Sequence, residues 1–142
     1  MIQIRRSAIV RHGCAHMFDL VNDVEAYPHR FNWCADARVL ARETDAVVAR
    51  LEVRLGTVTQ AFTTRNTLEA PARISMRLVE GPFRTLQGDW RFVPLGEVGC
   101  KIAFSLDFDY SGLMGPVLRS GFQKLADRMV DEFCREADRV PV

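Results

Sequence analysis

Between Val47 and Tyr110 apolar residues recur at every second position, and from Pro116 to about Arg139 they recur at every third or fourth. A period of two sends successive side chains to opposite faces of a strand, whereas a period near 3.6 gathers them on one stripe of a helix. A sheet with one apolar face must bury it, and the only element long enough to do so here is the helix that follows. Val47, Ala49, Leu51, Val53 and Leu55 alternate with Val48, Arg50, Glu52 and Arg54. Ile74, Met76 and Leu78 alternate with Ser75 and Arg77, and Ile102, Phe104, Leu106, Phe108 and Tyr110 with Lys101, Ala103, Ser105, Asp107 and Asp109. Gly56, Ala70-Pro71, Gly81-Pro82 and Gly96 to Gly99 supply the turns. The helix carries Leu118, Phe122, Leu125, Met129 and Phe133 on one stripe and Arg119, Lys124, Asp127, Arg128, Asp131 and Arg135 on the other. At about 1.5 Å per residue it is on the order of 35 Å long, enough to cross a domain.

Ahead of this region, Gln3 to Val10 reads as a strand ended by Arg11-His12-Gly13, and Ala15 to Asn22 as a short helix with Met17, Phe18, Leu20 and Val21 on one side. Tyr27-Pro28 is expected to take the residue before the proline out of the helical region and to begin a second short helix or turn through Phe31. The order is one strand, two short helices, about six antiparallel strands in a meander, and one long helix. This predicts an α+β fold, a curved antiparallel sheet wrapped around a long C-terminal helix in the helix-grip manner. At 142 residues there is material for one core, so residues 1–142 are expected to form a single domain.

Charge narrows the partners. Nineteen Lys and Arg against 18 Asp and Glu leave a net charge of +1, so the whole-molecule field gives no strong pull toward DNA or an anionic membrane, and any such contact must be local. Arg65, Arg77, Arg84 and Arg91 are expected outside, on a solvated basic face. No stretch approaches the roughly 20 apolar residues of a membrane span, and Met1 to Arg6 lacks an apolar signal core, so a cytoplasmic location is expected.

Candidate chemistry is sparse. Cys14, Cys34, Cys100 and Cys134 contain no Cys-x-x-Cys pair, which favours buried free thiols over zinc or a disulfide framework. His12 and His16 have the spacing of a metal pair, but Gly13 intervenes and no partner carboxylate of the zincin type accompanies them, so both read as surface histidines. His29 has no titratable neighbour to fix it. Asp107 and Asp109 share a face, but it is the one opposite the aromatic run, a solvated face. The serines lack a nucleophile elbow, so no catalytic residue, metal site or cofactor is expected. The aromatics Phe62, Phe83, Trp90, Phe92, Phe104, Phe108 and Phe122 fall on inward parities or in the adjoining turn and suit a filled core and a lined cavity equally well.

The stretch Leu78 to Leu95, with Glu80-Gly81-Pro82-Phe83 and Gly88-Asp89-Trp90-Arg91-Phe92, resembles the signature of the ribosome association toxin (RatA) family, whose relatives are the mitochondrial coenzyme Q-binding proteins. Leu20 to Val24 with Tyr27-Pro28, Trp33-Cys34, Phe62 to Asn66, and Cys100-Lys101-Ile102 leading into Phe104 to Phe108 agree in order and spacing. Arg30-Phe31-Asn32-Trp33-Cys34 departs from the family's Phe-Leu-Pro-Trp-Cys, which alters the contact surface of that loop.

The resemblance implies a START-like fold of the polyketide cyclase and lipid transport superfamily, with a cavity between sheet and long helix. It implies a ligand-binding set of Phe62, Leu78, Phe83, Leu86, Trp90, Phe104, Phe108, Leu118, Phe122, Leu125 and Met129, with Trp33 outside. Three roles follow from it. The first is non-catalytic binding of ubiquinone or a similar hydrophobic molecule in support of respiratory electron transport, with the quinone as ligand and not as cofactor. The alternative is a ribosome-binding toxin that blocks ribosomal subunit association, and the third is a polyketide cyclase or aromatase, for which Tyr110 and Asp109 are the nearest acid/base groups. The implied partners are a hydrophobic small molecule, a ribosomal subunit and a transiently touched membrane surface. A dry pocket of about 300 Å³ would cost on the order of 7 kcal/mol, so a wet, collapsed or occupied cavity is expected.

Overall fold

The alternating segments become strands because each has one apolar face to bury, and from the second strand to the seventh the turns between them are short enough to pair neighbours. The structure, a computed structural model, describes residues 1–139. Its elements are β1 (Ile2–Val10), α1 (Cys14–Asn22), a 3₁₀ turn (Val24–Ala26), α2 (Tyr27–Arg30), β2 (Cys34–Arg42), β3 (Ala46–Leu55), β4 (Val58–Glu69), β5 (Arg73–Glu80), β6 (Phe83–Leu95), β7 (Gly99–Tyr110) and α3 (Pro116–Arg139). All pairings are antiparallel and the order is β1-β7-β6-β5-β4-β3-β2. Six strands form the expected meander. β1 closes the far edge on β7, in register from Ile2 opposite Phe108 to Val10 opposite Cys100.

The helix grip is completed by α3, which buries Phe122, Leu125, Ala126, Val130, Phe133 and Ala137 against the sheet. Gly121 lets it come close: a Cβ there would stand 3.0 Å from Cβ of Leu55 on β3. At the opposite edge Arg6 of β1 donates to Asp127 of α3 at 2.6 Å. Of the predicted helix stripe, Phe122, Leu125 and Phe133 are buried, while Leu118 and Met129 are half-exposed. The buried stripe is centred nearer Ala126 and Val130, as a 3.6 period dictates.

One local expectation is corrected. Tyr27 precedes a proline yet sits in the helical region (φ −53°, ψ −43°) and starts α2. The steric cost before proline is offset by anchoring, since the Tyr27 ring is buried and its hydroxyl donates to the carbonyl of Val21. Among the described residues, no helix is long and apolar enough to cross a membrane.

Candidate functional site

The concave face and α3 do not meet everywhere. Between them lies a cavity of about 100 Å³, lined by residues of β3 to β7 and α3, together with Val24, Tyr27 and Trp33 from the segment between α1 and β2. Pairing register explains the sheet side: Trp90 of β6 lies opposite Phe104 of β7, and Gly88 opposite Leu106, so one parity of each strand faces inward. The walls are aromatic. Trp90 lies 4.4 Å from Phe104 and 5.3 Å from Phe133 between ring centres, and Trp33 stacks on Phe31 at 5.0 Å. Leu51, Phe62, Met76 and Met129 are the apolar lining residues that keep partial exposure, which puts the mouth beside them. Two of these are methionines, flexible enough to re-pack around an entering molecule. A dry cavity of this volume would cost on the order of 2 kcal/mol, against on the order of 7 kcal/mol for the larger one expected.

Polar groups are few and placed at particular points. Thr64 and Asn66 are both buried, and the Thr64 hydroxyl donates to Oδ1 of Asn66 at 2.8 Å. That leaves the Asn66 amide hydrogens as donors. Trp33 is 5% exposed, and its indole N–H is buried with no acceptor. Among the described residues the one ionisable lining residue is Tyr27, whose phenol is pushed upward by burial and holds its proton toward Val21. The lining therefore offers hydrogen-bond donors to an apolar guest.

Of the predicted ligand set, Phe62, Leu86, Trp90, Phe104, Phe122, Leu125 and Met129 line the cavity. Leu78, Phe83, Phe108 and Leu118 do not. Phe83 and Phe108 form the solid end behind it, packed on Phe122 at 4.8 and 5.1 Å, while Leu78 and Leu118 are half-exposed beyond its end. Trp33, expected outside, lines the wall, because the turn before β2 folds inward over Phe133. Thr64 and Asn66 were detectable by parity, since they alternate with Arg65 and follow Phe62 on the inward side. Trp33, Tyr27 and Val24 carried no periodic signal.

Other candidates fall away from the cavity. Asp107 faces Arg5 at 2.8 Å and Asp109 lies on the same outer face, while the Tyr110 hydroxyl donates to the carbonyl of Arg119 at 2.7 Å. His12, in the turn before α1, and His16, on α1, are half-buried against each other, ring centres 5.3 Å apart, rather than free on the surface, and His12 meets Asp138 at 2.8 Å. His29, Arg65, Arg77, Arg84 and Arg91 are exposed. All four cysteines are free thiols, with Cys34 and Cys100 buried.

Comparison with known proteins was made against this geometry. Residues 10–134 match the family described as polyketide cyclase / dehydrase and lipid transport. A protein of Pseudomonas aeruginosa named ribosome association toxin RatA is 44% identical over 138 residues, covering 96% of each chain. The mitochondrial coenzyme Q-binding protein COQ10 homolog B of Xenopus laevis is 26% identical over 98% of this chain and 59% of its own. In structure, the ZhuI aromatase/cyclase of Streptomyces sp. R1128 superposes with a TM-score of 0.85 at 19% identity, covering 97% of this chain and 94% of the other. The fold is the START-like helix grip.

Proposed function

The chain belongs to the ribosome association toxin (RatA) family, within the polyketide cyclase / dehydrase and lipid transport fold, and from that premise we propose that it binds a ribosomal subunit in the cytoplasm and blocks subunit association. The observation that carries this is the 44% identity to a RatA protein over nearly the whole of both chains. It reverses the order in which the sequence alone ranked the roles. Contact with ribosomal RNA requires cations that are not already neutralised, and Arg77 and Arg84 are exposed and make no ion pair among the described residues. The reading involves no catalytic step. Sucrose-gradient profiles of cell extract with added protein are expected to show separated subunits accumulating, with the effect fading as salt rises. Unchanged profiles at low salt and high protein excess would remove it.

A specific observation supports a second property of the same molecule, the binding of an apolar ring bearing oxygen acceptors, such as a ubiquinone-type head group. The unpartnered indole N–H of Trp33 and the amide of Asn66 are donors set in an otherwise apolar wall, and a buried donor without an acceptor costs about 1–3 kcal/mol. A quinone carbonyl supplies that acceptor, while the isoprenoid tail leaves past Met76 and Met129. Short-tail ubiquinone at about a hundred times its Kd raises stability by roughly 2.7 kcal/mol, several degrees in melting temperature. No shift with any prenylated quinone, and none extracted from the purified protein by organic solvent, would end this reading and leave the ribosomal one standing.

A further inference from the structure

Three of the four cysteines, dispersed in sequence, meet at one corner of the fold. Cys14 is the first residue of α1, Cys100 lies on β7 beside its pairing with β1, and Cys134 projects from α3. The sulfurs of Cys14 and Cys100 stand 2.7 Å apart, closer than two unbonded sulfurs normally pack. Cys100 is wholly buried, whereas Cys14 keeps part of its surface in solvent. Burial first, and then the contact with Cys14, pushes the Cys100 thiol up to about 12, and Cys134 is near enough to add to the rise. Neither Cys14 nor Cys100 lines the cavity, so this corner has no part in the ligand reading.

We propose that Cys14 and Cys100 are a peroxide-responsive dithiol that closes to an intramolecular disulfide joining α1 to the sheet. The oxidant is hydrogen peroxide, and accessibility sets the order of events. The Cys14 sulfur attacks one peroxide oxygen, the O–O bond breaks, a water leaves, and Cys14 becomes a sulfenic acid. The Cys100 sulfur then attacks the Cys14 sulfur, the S–O bond breaks, and the hydroxyl leaves with the Cys100 proton as a second water. Two thiols lose two electrons and two hydrogens, and one peroxide becomes two waters. A disulfide bond is about 2.05 Å long, so the two sulfurs, 2.7 Å apart, need approach by well under 1 Å to form it.

The test is thiol counting on the full chain. Reduced protein, unfolded in the presence of N-ethylmaleimide, is expected to take four labels, one for each free cysteine. After a brief, few-fold molar excess of peroxide it is expected to take two, with the peptides carrying Cys14 and Cys100 joined in a non-reducing digest and four labels restored by dithiothreitol. Cys134→Ser is expected to leave that linkage intact, and Cys14→Ser to abolish it. Four labels after peroxide, a linkage to Cys34 or Cys134, an intermolecular linkage, or label loss that dithiothreitol does not restore would each overturn the proposal. The wild-type count needs no variant, so a folding defect in Cys14→Ser does not blunt it.

Discussion

The concave and convex faces of the sheet are made by the same strands one residue out of phase, yet they solve opposite problems. On the concave side Ile102, Phe104, Leu106 and Phe108 of β7 are all 5% exposed or less, and contacts are ring against ring. On the convex side the intervening positions carry charge, and the charges are largely paired. Asp89 of β6 takes hydrogen bonds from Arg73 at 2.6 Å and Arg91 at 2.7 Å, and Arg65 donates to Glu43 at 2.6 Å. The first face stores stability. The second holds the few unneutralised cations, such as Arg77, that a polyanionic partner would meet.

The sharpest way to break this division is to put charge on the wrong side. Phe122→Arg or Leu125→Arg forces an unpaired guanidinium between α3 and the sheet and is expected to cost more than about 4 kcal/mol, or about 10 °C or more in melting temperature. A wild-type melt of either variant would refute the assignment of that stripe to the sheet. Truncation separates the cavity's buried wall from its mouth. Phe133→Ala, at a residue 1% exposed, is expected to cost about 3–5 kcal/mol, and Met129→Ala, half-exposed at the mouth, about 1–2 kcal/mol by chemical denaturation.

Because Trp33 and Trp90 both line the cavity, quenching on ubiquinone entry is expected to be shared between them. Trp90→Phe then leaves a measurable part of the fluorescence change, and only the double variant with Trp33→Phe removes it. Loss of the whole signal in Trp90→Phe alone would return Trp33 to the outside.

At exposed positions, Arg77→Ala with Arg84→Ala is expected to change stability by no more than about 0.5 kcal/mol while weakening ribosome association, with the salt slope reduced by about two contacts' worth. The smallest effect concerns Glu43. The hydrogen bond from Arg65 holds its carboxyl below the ordinary value, so the stabilisation is present above the unfolded-state value and is lost as pH falls through the folded one. The difference in melting temperature between wild type and Glu43→Gln is expected to shrink only as pH falls below the ordinary glutamate value of about 4.3, and to fade in high salt.

How much of this was legible depended on whether a residue's environment is set by its own strand. The strands and α3 were, since Val47 to Leu55 and Ile102 to Phe108 announce their buried side by alternation alone. Seven of the cavity residues followed from parity combined with family resemblance. Phe108 shares the parity of Phe104, whereas Phe83 has the parity opposite to Trp90 and reaches the inner face through the bulge between Phe83 and Thr85, which alternation alone does not announce; both then pack on Phe122 as the closed end. Trp33 and Tyr27 sit in an aperiodic segment, where orientation is decided by what they pack on, here Phe31 and Phe133. The Cys14–Cys100 contact lay beyond any local pattern for the same reason, since it depends on β1 returning alongside β7.

That last pairing sets the timetable on which the chain can fold. β2 to β7 each find a partner among immediate neighbours, but β1 must wait for a strand about a hundred residues further along, the slowest kind of contact to close. Until it docks, the twelve residues of β7 present a bare hydrogen-bonding edge, long and apolar on one side, the geometry that recruits strands from other chains. Ile4, 3% exposed and opposite Leu106, is the one fully buried residue of β1 and so the one that rewards the docking.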